Sequence, residues 1–174
     1  MLLLGLAPAA HGANRTGRVF TGDRSGDFLF AALHRTGFAN QPTSTHRGDG
    51  LALHDAWLTA AVRCAPPANK PLPAERDRCL PWTQAELELL PAISVVVCLG
   101  AFGWDAALRL FAAAGFPTRP RPKFAHGAEA VVGAWTLLGC FHPSQQNTFT
   151  GVLTEDMLDA VLRRARDLAG LGQP

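Results

Sequence analysis

Short apolar runs alternate along the chain with segments in which apolar residues follow helical spacing. The runs at 2–6, 56–62, 93–99 and 135–141 predict strands, and a further short strand near Val131 is left open. Helices are predicted over 25–37, where Ser25 can cap the first turn, over 83–90 and 101–114, and after a cap at Thr154. Residues 64–73 contain four Pro and predict an irregular connection.

The predicted strands are continuous apolar runs rather than alternating ones, which indicates that both faces of the sheet are covered. We therefore predict an α/β fold, a three-layer α/β/α sandwich around a central, mostly parallel four-stranded sheet. In such folds ligands bind beyond the carboxyl ends of the strands.

The composition narrows the class of protein. At 174 residues with 48% hydrophobic and 17% charged positions, the chain predicts one domain over 1–174 with a substantial core. No apolar run reaches the roughly 18 residues of a membrane span, and the apolar start lacks a basic lead-in, so we expect a cytoplasmic protein. The net charge of +2 does not itself indicate a nucleic-acid protein, although the basic residues are fourteen Arg and two Lys.

Polar side chains capable of chemistry follow three of the predicted strands, whose loops should converge at one edge of the sheet. They are Pro8, His11, Asn14, Arg15, Arg18, Phe20 and Asp23 after the first strand, Asn69 and Lys70 after the second, and His142, Ser144, Gln145 and Gln146 after the last. Each also has a purely structural interpretation: Asp23 as a helix cap, Asn69 as a turn residue, and the basic residues as solvated loop charge.

In this order the loops resemble the uracil-DNA glycosylase superfamily, and specifically its family 5, the B type. The motifs are GLAPAAHGANRTGRVFTGD at 5–23, LTAAVRCAPPANKP at 58–71 and HPSQQNTFTG at 142–151. Family 4 is known for an acidic residue soon after G-x-A-P and for an Asn before A-V-K-C. Here those places hold Ala9 or Ala10 and Ala60, as in family 5.

The resemblance implies hydrolysis of the N-glycosidic bond of a deaminated base that is flipped out of DNA. Uracil is the first substrate implied, and hypoxanthine or xanthine are further ones. The resemblance also implies that Asp23, Asn69 and His142 are catalytic, with Asp23 acting on the attacking water or on an oxocarbenium-like centre. The implied base-binding residues are Gly5, Ala7, Pro8, His11, Asn14 and Phe20. The implied DNA contacts are Arg15, Arg18, Lys70, Ser144, Gln145 and Gln146. The partner is then DNA containing deaminated bases, and we expect a monomer without membrane association.

The four cysteines divide into two kinds. Cys98 and Cys140 lie inside predicted strands and are most simply core residues. The resemblance implies that Cys64 and Cys79 are two of the four thiolate ligands of a [4Fe-4S] cluster, the others coming from a C-x-x-C motif that this sequence lacks. Either the natural start lies upstream of Met1, which we favour, or the cluster site is incomplete.

Two alternatives to a glycosylase remain at this point. One is a lesion-binding module without turnover, because the cluster segment is absent. The other is a metal-dependent hydrolase that uses His11, Asp23 and His142 as ligands.

Overall fold

The computed structural model describes residues 1–172, so the predicted domain over 1–174 extends two residues beyond the described part. Its strands are β1 (Leu2–Gly5), β2 (Trp57–Ala60), β3 (Val95–Leu99), β4 (Glu129–Val132) and β5 (Trp135–Cys140). Its helices are α1 (Ala13–Thr16), α2 (Arg24–Arg35), α3 (Pro73–Leu89), α4 (Ala101–Ala113), α5 (Gln145–Phe149) and α6 (Glu155–Leu168), with a 3₁₀ turn at Pro67–Asn69.

The sheet has five strands in the order β2-β1-β3-β5-β4, so the predicted number of four is wrong. Strands β2, β1, β3 and β5 are parallel, and β4 pairs antiparallel with β5 at the edge. The additional strand is the short segment left open near Val131. Its four residues form an edge strand with Val131 exposed and Val132 buried, so they lack the long apolar run that marks the central strands.

Helices cover both faces of the sheet and confirm the three-layer prediction. Helices α2 and α6 bury Leu29 and Leu162 with Val97 on one face. Helix α4 buries Trp104 and Phe111 with the alternate strand residues on the other face. Because successive strand side chains point to opposite faces, a strand such as β3 is apolar at every position.

Helix α3 begins at Pro73, ten residues before its predicted start at Thr83. Proline fits the first turn of a helix, where its missing N–H needs no partner, and Glu75 Oε2 accepts the Leu72 N–H at 2.7 Å. The helix continues through Pro81, so Cys79 lies on a helix rather than in an irregular loop. Within residues 1–172 no helix is both long and apolar enough to cross a bilayer.

Candidate active site at the carboxyl edge of the sheet

The loops that follow β1, β2 and β5 converge on one crevice of about 680 Å³, as the parallel order requires. Of the residues predicted for the site, those that line the crevice are Ala7, Pro8, Phe20, Asp23, Asn69, Lys70, His142, Ser144, Gln145 and Gln146. The short helices α1 and α5, which the sequence does not predict, fold parts of the first and last of these loops.

Asp23 contributes both to helix α2 and to the crevice. It is the N-cap of α2, because its Oδ1 accepts the Gly26 N–H at 2.9 Å, so the cap lies two residues before the one predicted at Ser25. Its Oδ2 lies against Gly12, where an added Cβ would stand 2.0 Å from that oxygen. The cap therefore uses one carboxylate oxygen and fixes the direction of the other.

Phe20 holds its ring at the crevice in a strained backbone conformation. Its φ is +52°, in the left-handed region that costs a residue with a Cβ about 1–2 kcal/mol. Two glycines provide the space that it occupies: a Cβ on Gly5 would lie 2.8 Å from the Phe20 ring, and one on Gly26 would lie 2.0 Å from the Phe20 carbonyl oxygen. Gly5 thus supports Phe20 from behind and is not part of the crevice lining.

Asn69 reaches the crevice from a tight turn. Ala68 and Asn69 are consecutive left-handed residues, with φ of +52° and +54°, inside the 3₁₀ turn. Asparagine tolerates this conformation better than most residues, whereas Ala68 does not. The turn interpretation of Asn69 is therefore correct as local structure, and the same turn places Asn69 and Lys70 at the crevice.

His142 follows β5 and is largely enclosed. Burial lowers the pKa of His142 from 6.5 to about 4, and the nearby Asp23 carboxylate acts in the opposite direction. The imidazole is therefore neutral near pH 7 and has one N–H to donate. The two rings of Phe20 and His142 have centroids 6.0 Å apart, with 36° between their planes.

The lowered pKa of His142 predicts how stability depends on pH. As the pH falls below 6.5, the unfolded chain binds the proton on His142 before the folded chain does. The contribution of the neutral imidazole to the free energy of unfolding is therefore complete above pH 6.5 and is lost as the pH falls toward 4. We expect the free energy of unfolding to fall more steeply over that interval in the wild type than in His142→Gln, by up to roughly 3 kcal/mol. Denaturant titrations at several pH values measure this difference, and parallel profiles would contradict it.

Several predicted residues lie outside the crevice lining. His11, Asn14 and Arg15 are exposed on the α1 segment. Arg18 forms an ion pair with Asp49 at 2.7 Å, and this guanidinium, the largest of several influences, holds the Asp49 pKa well below its usual value. Arg18 also donates to Ser44 at 3.0 Å. The geometry gives Arg18 a role in holding the 44–49 loop, and its predicted phosphate contact stays a prediction.

Other residues of the site have no role assigned from the sequence. Asn147 lines the crevice, and its Nδ2 donates to the His142 carbonyl oxygen at 2.9 Å. A Cβ on Gly100 would lie 3.3 Å from the His142 Cβ, so this glycine allows the imidazole segment to pass close to β3. Asn147 stands in the quoted HPSQQN motif, whereas Gly12, Gly26 and Gly100 act through the space they leave for Asp23, Phe20 and His142.

The cysteines do not fit a four-thiolate cluster site in the described residues. Cys64 is exposed and Cys79 is half-buried, whereas Cys98 and Cys140 are buried in β3 and β5, as predicted. Burial raises the pKa of both core thiols, that of Cys140 to about 12, which disfavours the thiolate that an iron ligand must be. Only Cys64 and Cys79 remain as donors, so we assign no chemical step to a cluster.

The side chains of His11, Asp23 and His142 do not assemble a metal site. Within residues 1–172 no group of three or more His, Cys, Asp or Glu side chains has the arrangement needed to hold a metal ion. The alternative of a metal-dependent hydrolase built on these three residues is therefore not favoured, since exposed His11 stands apart from the crevice lining.

Comparison with known proteins identifies the family of the chain. The model of the uracil DNA glycosylase superfamily matches residues 1–166. The type-5 uracil-DNA glycosylase of Thermus thermophilus is 51% identical over 172 residues, which are 98% of this chain and 76% of that protein. This chain belongs to the type-5 uracil-DNA glycosylases.

Two further type-5 uracil-DNA glycosylases show the same relationship. The protein of Mycobacterium tuberculosis is 57% identical over 173 residues, covering 98% of this chain and 63% of its own length. That of Pyrobaculum aerophilum is 42% identical over 170 residues, covering 98% and 72%. The chain thus spans somewhat less than two thirds of the length of the mycobacterial relative.

The family assignment gives meaning to two alanines in the crevice. Ala9 and Ala60 both line it; Ala60 stands at the place of the Asn that distinguishes family 4, and Ala9 or Ala10 at the place of its acidic residue. Among the residues that line the crevice in the described chain, Asp23 therefore has the one carboxylate.

Proposed function

We propose that this chain is a monofunctional uracil-DNA glycosylase that hydrolyses the N-glycosidic bond of uracil flipped out of DNA, with hypoxanthine and xanthine as further substrates. The observation that carries the proposal is the convergence of Phe20, Asp23, Asn69 and His142 on one crevice. The names of the type-5 relatives support the same activity. We propose that it acts as a monomer in the cytoplasm.

The crevice suits a single extruded base. Extrusion costs a few kcal/mol, and less for a mismatched base such as uracil opposite guanine. Phe20 supplies an aromatic face on which a base can stack, and stacking of this kind contributes about 1–3 kcal/mol. Because Gly5 and Gly26 fix the position of Phe20, the platform is formed before the base arrives.

Asp23 is the group that we propose acts on the bond to be broken. Its free oxygen can accept a proton from the attacking water, or its charge can stabilise the oxocarbenium-like sugar as the bond lengthens. The cap to Gly26 holds the carboxylate without taking both oxygens. Asn69, which also lines the crevice, has an amide that can hold the base edge or the water.

His142 is the group that we propose stabilises the leaving base. As the glycosidic electrons move into the uracil ring, negative charge develops on a ring carbonyl oxygen, and a neutral imidazole N–H can donate to it. The low pKa of His142 keeps the imidazole neutral, so the residue acts on the leaving base as a neutral hydrogen-bond donor.

The DNA contacts are proposed from the rim of the crevice. Lys70 is exposed beside Asn69, and Arg15 is exposed on α1, so both can reach phosphates. Ser144, Gln145 and Gln146 project from the start of α5 and are proposed to enter the minor groove and fill the vacated place in the stack. A local basic rim acts on DNA even though the net charge is only +2.

The proposal is tested by the products formed from a duplex that contains one U·G pair. We expect free uracil together with an unbroken strand that carries an abasic site, at a rate unaffected by a metal chelator. Tight binding of the U·G duplex without release of uracil, in a folded sample, would instead favour the lesion-binding module. Loss of release with chelator would contradict hydrolysis by protein side chains alone.

Gly12→Ala is expected to lower the rate of uracil release by roughly tenfold or more. The new Cβ would stand where the Asp23 Oδ2 now lies, so the carboxylate must move. The matched control is Gly48→Ala, since the nearest atom to a Cβ there is the His46 Nδ1 at 3.8 Å. Single-turnover rates measure the effect, and a rate equal to that of the control would mean that the position of Asp23 is not critical.

For the cofactor we propose that this sequence does not assemble a complete cluster on its own cysteines. We expect the purified protein to lack the broad visible absorbance of an iron–sulfur cluster, because two accessible thiols supply half of the four ligands. Absorbance spectra of wild type and of the Cys64→Ser Cys79→Ser double variant, after supply of iron and sulfide, measure this. A stable visible band that the double variant loses would contradict the expectation.

A further inference from the structure

The backbone on either side of the His142 imidazole is held by side chains rather than by a neighbouring strand. Strand β5 ends at Cys140, whose carbonyl oxygen accepts the Gly100 N–H at 2.7 Å. Beyond this point the Phe141 N–H donates to the His126 Nδ1 at 3.2 Å. The His142 carbonyl oxygen in turn accepts from Asn147 at 2.9 Å. The dipeptide that bears the imidazole is thus fixed at both ends.

His126 is itself anchored to the end of β5. The Gly127 N–H donates to the Gly139 carbonyl oxygen at 2.7 Å, and the Gly139 N–H donates to the Ala128 carbonyl oxygen at 2.8 Å. The His126 ring also packs against Phe141, with centroids 5.0 Å apart. The imidazole therefore reaches the Phe141 N–H from a segment that the sheet holds in register.

The contact requires a neutral His126, because only an unprotonated Nδ1 can accept a hydrogen bond. Partial burial lowers the pKa of His126, while a hydrogen bond with the Met157 backbone acts in the opposite direction. The neutral form is thus the favoured one near pH 7, in agreement with the geometry.

We infer that His126 is a positioning residue: by accepting the Phe141 N–H it fixes the direction in which His142 presents its N–H to the departing base. This inference rests on the proposed function for the role of His142. It gives a function to the H in the segment KFAHG at 123–127, which lies outside the three motifs of the family resemblance. His126 is not among the residues that line the crevice, so its effect must pass through the backbone of Phe141.

The test compares two substitutions that differ in one hydrogen-bond acceptor. His126→Asn keeps an acceptor, Oδ1, near the place of Nδ1, whereas His126→Leu fills similar space without one. The control is His34→Leu, an exposed histidine on α2. We expect His126→Leu to lower the single-turnover rate of uracil release by about tenfold or more, and His126→Asn to remain within about threefold of wild type. Affinity for the U·G duplex should be unchanged in all three.

A second measurement does not depend on turnover. The imidazole resonances of His142 should shift in His126→Leu and stay near their wild-type positions in His126→Asn and in the control. Equal rates for His126→Leu and wild type, or an unmoved His142 resonance in His126→Leu, would overturn the inference while leaving the proposed function intact. Equal losses of rate in the Asn and Leu variants would also overturn it, because the acceptor would then be irrelevant. Absence of uracil release by the wild type would instead refute the proposed function, and the resonances would still decide the positioning.

Discussion

Asp23→Asn is expected to lower the single-turnover rate of uracil release by roughly 10²-fold while the protein keeps its melting temperature. Asparagine is as good an N-cap as aspartate, so its Oδ1 can still accept the Gly26 N–H that begins α2. The substitution therefore removes the negative charge at the crevice and little else. Since Asp23 has the one carboxylate among the crevice-lining residues of the described chain, no neighbouring acid replaces it there.

Asp23→Ala removes both the charge at the crevice and the N-cap of α2. It should lower the rate at least as much, and in addition should cost about 1 kcal/mol of stability because the cap is lost. Rates and denaturant titrations of the two variants together distinguish charge from capping. A rate for Asp23→Asn within about twofold of wild type would remove the carboxylate from the reaction and leave Asp23 as a cap alone.

His142→Leu is expected to lower the rate of uracil release by about 10²- to 10³-fold, the loss found when a donor to a developing oxyanion is removed. Leucine fills much of the buried space beside Phe20, so the effect should appear in the chemical step rather than in duplex binding. Single-turnover rates at saturating enzyme and a separate binding titration measure the two quantities. The control is His34→Leu, which removes an exposed imidazole.

A different pattern would change the role of His142. If His142→Leu weakened binding of the U·G duplex and left the single-turnover rate at saturation unaltered, the imidazole would be a contact to the bound base and not a stabiliser of the leaving group. If the wild-type rate fell as the pH dropped from 8 to 6 and that fall was absent in His142→Gln, the imidazole would be titrating near neutrality. The neutral state that burial imposes would then be contradicted.

The layered fold could be predicted because the buried strands are continuous apolar runs that are easy to recognise in the sequence. A run such as VVVCL in β3 is apolar at every position, which indicates a strand covered on both faces. The errors lie where one residue type serves two purposes. The Pro-rich composition places Pro73 in the irregular connection, yet it starts α3, and the short edge strand β4 does not stand out from a loop.

The residues of the candidate site divide in the same way. Phe20, Asp23, Asn69 and His142 could be proposed because they stand in long loops after strands and in recognisable motifs. The contacts that hold them could not, because each joins residues that are not neighbours in sequence. Gly12 lies under Asp23, two glycines surround Phe20, and His126 fixes the segment of His142. Such contacts form only when the folded chain brings these residues together, and a single sequence does not indicate which residues meet.

Asp23 also shows that the structural and functional interpretations of a residue need not compete. The sequence allowed a helix cap or a catalytic carboxylate, and the structure shows the cap directly. The cap uses Oδ1 alone and restricts how the side chain of Asp23, which lines the crevice, can rotate. The structural role therefore prepares the geometry that the proposed chemistry needs.

A crystal structure of the protein with DNA would show whether the crevice holds an extruded uracil. The duplex would carry 2′-deoxypseudouridine opposite guanine, because its carbon–carbon glycosidic bond is not hydrolysed. We expect the base to lie in the crevice with its ring on Phe20, a carbonyl oxygen about 3 Å from a His142 nitrogen, and C1′ facing Asp23. A base that remains stacked in the duplex, or that binds elsewhere on the protein, would contradict the account.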